Sequence, residues 1–434
     1  MILSSLVKNK KNSKGRYSQG QAVRRCRLRG MGWWILLALF VPWGNHVSLV
    51  EVKSCTTTLL ASTGDIIDGK TLTYIFGSPA INDDGDVAFA AGFDDGVGIF
   101  AMSRGLVAAV GDTIDGKRLL GFAARIALNN QGEIVFNGFF RGGNGVFTPN
   151  EFVVGTGDTI DGINLLGAIA SLVNDGGDIA FIGSFLGGNG IFSTSQGFIV
   201  GTGETIGDKH LELISGDFAL NKQGHFAFTG SLNSVLTDNG IFTPHERIAA
   251  AGDTIDGIVL TRLENPALND RDDVVFTSEF NAGFGIFTPH ELIVATGDII
   301  DGKTLTRIGS TPALNDRGDI VFISSFIGGS GIFTPDALLI GTGDRIDGKT
   351  LIGIGRTRMP EDLGGIVLDS ASSDIDRQFL PSTRIETNDS TVDDKTLVSV
   401  GSELALNNWG DVVFISEFAD DSQSVVYLAC QTEP

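Results

Sequence analysis

The residues whose types and spacing could do chemistry are paired aspartates in a recurring GDxIDG segment: Asp65/Asp68, Asp112/Asp115, Asp158/Asp161, Asp253/Asp256, Asp298/Asp301 and Asp344/Asp347. Carboxylates beside glycine can ligate Ca²⁺, which takes about six to eight oxygens. The same residues are ordinary turn formers, because Asp bonds its neighbouring backbone and Asp-Gly suits tight turns. The spacing lacks the alternating acids of an EF-hand loop, and Glu204 breaks the pattern in one unit. Turn formation is the expected role, with Ca²⁺ as the alternative and no cofactor required. The histidines (His46, His210, His225, His245, His290) show no metal-ligand spacing; His245 and His290 follow Thr-Pro in equivalent turns and read as surface residues. No G-x-S-x-G or H-E-x-x-H motif occurs in a suitable context. No catalytic residue is assigned, and a glycosidase-type carboxylate pair could arise only by convergence in the fold.

The elements that must position these aspartates repeat about every 46 residues. An Asn-x-x-Gly turn is anchored at Asn82, Asn129, Asn174, Asn221, Asn269, Asn315 and Asn407, and the double gap before Asn407 leaves room for one degenerate unit. A Gly-Ile-Phe-like strand ends at Phe100, Phe147, Phe192, Phe242, Phe287 and Phe333, with Phe379 and Tyr427 in the corresponding places of the last two units. Each unit reads as four short strands, as in ALN, DIVFISSF, GIFTP and ALLIGTG, joined by turn residues. The second and fourth strands are apolar on both faces, which suits sheets covered on both sides. Phe89, Phe136, Phe181, Phe228, Phe276, Phe322 and Phe414 recur on the second strand and read as core. Repeated four-stranded sheets that cannot each bury both faces alone define a β-propeller. The expected fold is all-β: an eight-bladed β-propeller of four-stranded antiparallel blades, with a weak seventh blade at about 350–390.

The termini are out of phase with the units. TTTLLASTGD, from Thr56 to Asp65, is a fourth strand without its first three, and the last unit stops after VVYLAC. The orphan fits the vacancy, so the N-terminal strand is expected to close the last blade. Cys55 and Cys430 then fall beside the same turn, and a disulfide between them would pin the seam.

Charge divides the chain. Residues 1–46 carry nine Lys/Arg and no acid, leaving 22 basic against 52 acidic residues beyond them. So acidic a body repels nucleic acid and anionic membrane surfaces, which require phosphate neutralisation. The basic stretch leads into GMGWWILLALFVPW, Gly30 to Trp43, which reads as a signal peptide or anchor segment. Residues 1–54 are therefore expected to form a leader and 55–434 a single propeller, exported to the cell surface or beyond as a monomer.

The units carrying ALNDRGDIVF, GIFTP and ATGD resemble bacterial exported tandem-repeat proteins marked by Asn-x-x-Gly followed by an aromatic strand. The resemblance covers nearly everything after residue 55. It implies a propeller-like fold and export, with function uncharacterised and no active-site residue to carry over. The first functional expectation is a secreted or surface-exposed scaffold binding a protein or glycan, since near-identical blades suit multivalent recognition. The alternatives are a polysaccharide-acting hydrolase or lyase with its site in the channel, and a calcium-stabilised envelope protein.

Overall fold

Runs such as VAFAAGF and IVFISSF combine β-branched and aromatic residues with no helix-length stripe, and in the computed structural model they are strands. The structure describes residues 54–232, 238–309, 311–355, 366–368, 391–392, 395–396 and 404–431. The apolar run Gly30 to Trp43, Phe379 and most of 350–390 lie outside them. The described residues are all-β, and no helix among them is long and apolar enough to cross a membrane.

Four-stranded antiparallel sheets follow one another along Glu51–Pro434. The first comprises Lys70–Ile81, Val87–Phe93, Gly96–Ala101 and Gly105–Ala109. The second is Lys117–Leu128, Ile134–Phe140, Gly143–Phe147 and Phe152–Gly155. The third begins with Ile163–Val173, the fourth with Leu213–Leu220, the fifth with Arg262–Leu268 and the sixth with Lys303–Ile308. In the seventh, Lys349–Ile354 pairs with Val412–Phe418, then come Gln423–Gln431 and Ser54–Ser62. The N-terminal strand thus closes the last sheet as expected, with Cys55 opposite Cys430 and a disulfide joining them.

The sheet count corrects the expected eight: seven four-stranded sheets close the circuit among the described residues. The inner strand of the seventh repeat pairs directly with the second strand of the last repeat, Leu351 opposite Phe418, and residues 356–403 fall between them in sequence. Seven apolar clusters fill the spaces between neighbours, one for each adjacent pair, and one of them joins the seventh sheet to the first through Val413, Ile415 and Val425 against Leu72, Ile75 and Phe89. The degenerate copy has kept the repeat spacing but lost its turn Asn and a core Phe, replaced by Leu368. Ile366–Leu368 instead runs parallel to the inner strand of the second sheet, Ile366 opposite Gly121.

The phenylalanines carry the packing. One Phe of the second strand and one of the third, directly opposite each other, are fully buried in every sheet from first to sixth and lie face to face, with ring centroids 5.7 Å apart for Phe89/Phe100 and 5.6 Å for Phe181/Phe192. Burial of one such side chain contributes about 1.5–3 kcal/mol before entropy. In the seam sheet Phe414 stands opposite Val426, and Tyr427 lies one residue further on. Tyr427 is therefore not the counterpart of the core Phe. Its hydroxyl donates to Asp411 at 2.8 Å.

Candidate binding face

The GDxIDG aspartates are fastened to backbone. The first acid of each pair accepts the N–H three residues earlier, as in Ala109 to Asp112 (2.7 Å) and Ala295 to Asp298 (2.8 Å), and likewise at Asp65, Asp158, Asp253 and Asp344. Asp68, Asp115, Asp161, Asp256 and Asp301 accept an N–H some 36–38 residues onward, at the start of a sheet's outer strand. Those five and Asp347 hold φ between 47° and 52°, the left-handed region that Asp tolerates in turns. The pairs stand in separate turns, and no group of three or more acids, His or Cys among the described residues is placed to hold a metal. His245 and His290 lie in exposed turns, their backbone N–H groups bonded to Thr243 and Thr288.

The Asn-x-x-Gly turns converge at the other end of the inner strands. Each Asn is at least nine-tenths buried, and its side-chain oxygen accepts backbone N–H groups of its own turn, as from Arg271 and Asp273 to Asn269 at 3.0 Å. Its amide nitrogen reaches the next turn. Asn82 donates to the carbonyl of Asn129, and the chain continues through Asn174, Asn221, Asn269, Asn315 and Asn407 back to Asn82, at 2.9–3.3 Å. The link from Asn315 to Asn407 spans the degenerate repeat and leaves no gap in the ring.

The residue after each Asn builds a second ring beside the first: Asp83, Asn130, Asp175, Lys222, Asp270, Asp316 and Asn408. Backbone N–H of one member donates to the side-chain oxygen of the next, from Asp83 to Asn130 (2.7 Å), Asn130 to Asp175 (2.9 Å), Lys222 to Asp270 (2.9 Å), Asp270 to Asp316 (2.7 Å), Asp316 to Asn408 (2.9 Å) and Asn408 to Asp83 (2.8 Å). Lys222 interrupts the pattern because an ammonium cannot accept. Its Nζ pairs with Asp270 at 2.6 Å instead. Asn130 bridges the carboxylates of Asp83 and Asp175, and Asn408 those of Asp83 and Asp316.

Asp270 and Asp316 are the one pair of acids that are neighbours with no amide or ammonium between them. Partial burial pushes the Asp316 carboxyl above the ordinary Asp range, and the adjacent Asp270 carboxyl adds to this. Partial burial also acts against ionised Asp270, but hydrogen bonds and charge from Lys222 outweigh it and hold Asp270 below that range.

The third residue of each turn faces outward and varies: Asp84, Gln131, Gly176, Gln223, Arg271, Arg317 and Trp409. Gln131 Nε2 donates to the Asp175 carbonyl at 2.6 Å, and Trp409 Nε1 makes the corresponding bond to Asp83 at 2.9 Å, leaving the indole 64 % exposed. Between the first and second sheets lies a concavity of about 490 Å³, lined among others by Asp84, Asp86, Ser103, Asn130 and Gln131. Arg104 bonds the carbonyl of Gly132, another lining residue.

Sequence reasoning read the asparagines as turn formers, which is half of their role, and missed both rings. It also passed over the Asn that precedes Gly at the start of the third strand. Asn189 and Asn239 each accept the N–H and bond the carbonyl of an inner-strand residue in the next sheet, Ile214 and Leu263 respectively. Recurrence of one polar residue within an apolar strand was the available signal.

Residues 40–205 match a family described as a family of unknown function (DUF7453). No curated relative matches the chain. Among solved structures, the chain is similar to virginiamycin B lyase from Staphylococcus aureus at 11 % identity, with 87 % of this chain and 99 % of that one covered and a TM-score of 0.36. A streptogramin B lyase covers 88 % and 100 % at 10 % identity with a TM-score of 0.37. A gluconolactonase from Xanthomonas campestris covers 62 % and 87 % at 11 % identity and 0.31. At this distance their chemistry stays with them.

Proposed function

We propose that this chain is an exported binding module of the β-propeller type that presents the Asn-x-x-Gly face to a protein or glycan ligand. The observation that supports this reading is the convergence of seven turns, which share one backbone but carry different outward side chains. A rigid scaffold with variable turn residues is how binding surfaces are commonly built. The acidic rim, four carboxylates against one ammonium in the inner ring, disfavours nucleic acid and anionic lipid.

The experiment is to screen the full chain against arrayed oligosaccharides and bacterial surface proteins, beside a double variant at the exposed residues Asp84→Ala and Lys222→Ala. Saturable binding that weakens at least fivefold in the variant is expected. A ligand whose affinity ignores both changes, or no ligand at all, sinks the reading. A second reading, a polysaccharide-acting hydrolase or lyase, draws on the Asp270/Asp316 pair. The two carboxylates are neighbours in the inner ring, with Asp270 N–H donating to Asp316 at 2.7 Å, and two acids in different surroundings can divide the roles of acid and base. Release of reducing ends from a bound oligosaccharide, abolished by Asp316→Asn, would favour it.

A further inference from the structure

The turn Asn82–Gly85 has the concavity on one side and Trp409 on the other, and Trp409 is the one aromatic residue among the seven outward positions. We infer that Trp409 and the adjoining groove form a subsite for a neutral saccharide. This inference rests on the binding-module reading and names its ligand class.

Three observations carry it. The indole is fixed at its N–H by the Asp83 carbonyl while most of its surface meets solvent, an arrangement that spends the polar handle internally and offers an apolar face. The other six outward positions, Asp84, Gln131, Gly176, Gln223, Arg271 and Arg317, are polar or glycine, so the indole is the one apolar surface among them. The groove next to it, about 490 Å³, lies within the range of small-ligand sites and is lined by carboxylates, amides and a hydroxyl. A pyranose has both faces of this chemistry: axial C–H groups that pack on an indole, and hydroxyls that donate to carboxylate and amide oxygens. Asp86 is already engaged, accepting Ser103 N–H and Oγ–H, and the Asn130 amide is spent on Asp83 and Asp175, so the Asp84 carboxylate and the side-chain oxygen of Gln131 are left to meet hydroxyls. Acidic sugars are excluded by repulsion from Asp83, Asp84 and Asp86.

The test uses the full chain with Trp33, Trp34 and Trp43 replaced by Phe, so that Trp409 is the sole indole. Cellohexaose, xylohexaose, mannohexaose and chitohexaose are titrated against Trp409 emission, with oligogalacturonate as the acidic control. At least one neutral oligosaccharide should shift the emission to shorter wavelength. By saturation-transfer NMR its Kd should rise at least tenfold in Trp409→Ala and change less than threefold in Trp409→Phe. Thermal melts of both variants should match the parent, since the side chain is exposed. The inference falls if none of the four neutral oligosaccharides binds, if only the acidic control binds, or if Trp409→Ala binds as tightly as the parent. A screened ligand that binds the face yet leaves Trp409 emission unchanged sinks the sugar subsite alone, whereas absence of any ligand removes both readings.

Discussion

Asp316 carries a cost that its ring neighbours avoid. Asp83 is flanked by the amides of Asn130 and Asn408, and Asp175 has Asn130 on one side, whereas Asp316, also bonded by Asn408, is partly buried with the ionised Asp270 beside it. A carboxyl held above its unfolded value binds a proton in the folded state that the unfolded chain has already lost. The linkage therefore makes Asp316 costly once pH rises above the ordinary Asp value of about 3.9, and neutral below it. Asp270 runs the opposite way: its pairing with Lys222 stabilises above that value and is lost as pH falls through its lowered one. Asp316→Asn should raise the melting temperature at pH 7 and give little or no gain near pH 4. A gain of equal size at both pH values would show that the cost does not come from ionising Asp316. This asymmetry was hidden in the sequence, where NDR at 269 and NDR at 315 look like copies of one harmless turn.

At the scale of elements, the sheets are joined by more than apolar packing. Asn239, in the third strand of the fourth sheet, offers its amide to both backbone groups of Leu263 in the inner strand of the fifth, at 3.0 and 2.6 Å. Gln423 does the same work at the seam, accepting the Ile75 N–H at 2.9 Å. Leu263 stands opposite Ser278 and Ile75 opposite Ala91, each shortly before its inner strand changes register, and these bonds reach them from the neighbouring sheet. Asn239→Ala would leave a buried N–H and carbonyl unpaired, at a cost of about 1–3 kcal/mol. Urea denaturation should show the midpoint falling without a change in slope. A midpoint within error of wild type would mean that water replaces the amide. The strands themselves were legible, because Phe and β-branched residues alternate with clear turn signals. The bridges were not, because an Asn in Asp-Asn-Gly reads locally as loop.

For the whole molecule, closure is the decisive event. Ser54–Ser62 pairs along Gln423–Gln431, and Cys55–Cys430 ties residues 375 apart in sequence. A cross-link over so long a loop removes much of the freedom of the unfolded chain, and loss of a native disulfide typically costs about 2–5 kcal/mol. Cys430→Ser, or reduction of the parent, should therefore lower the melting temperature, with proteolysis beginning at the freed N-terminal strand. An unchanged melting temperature together with unchanged protease resistance would show that strand pairing alone secures the seam.

By itself, the sequence determined the strand repeat, the phenylalanine core, the complementary termini and the turn role of the GDxIDG acids. Each of these depends on residues close together or on a period that can be read directly. Only the tertiary structure decided that seven sheets complete the circuit among the described residues, and which side chains meet around its mouth. A ring closes when the accumulated angle between neighbours returns the last sheet to the first, and no local spacing records that angle. For the same reason Trp409 and Asp83, 326 residues apart, come together beside one groove only after the circle has shut.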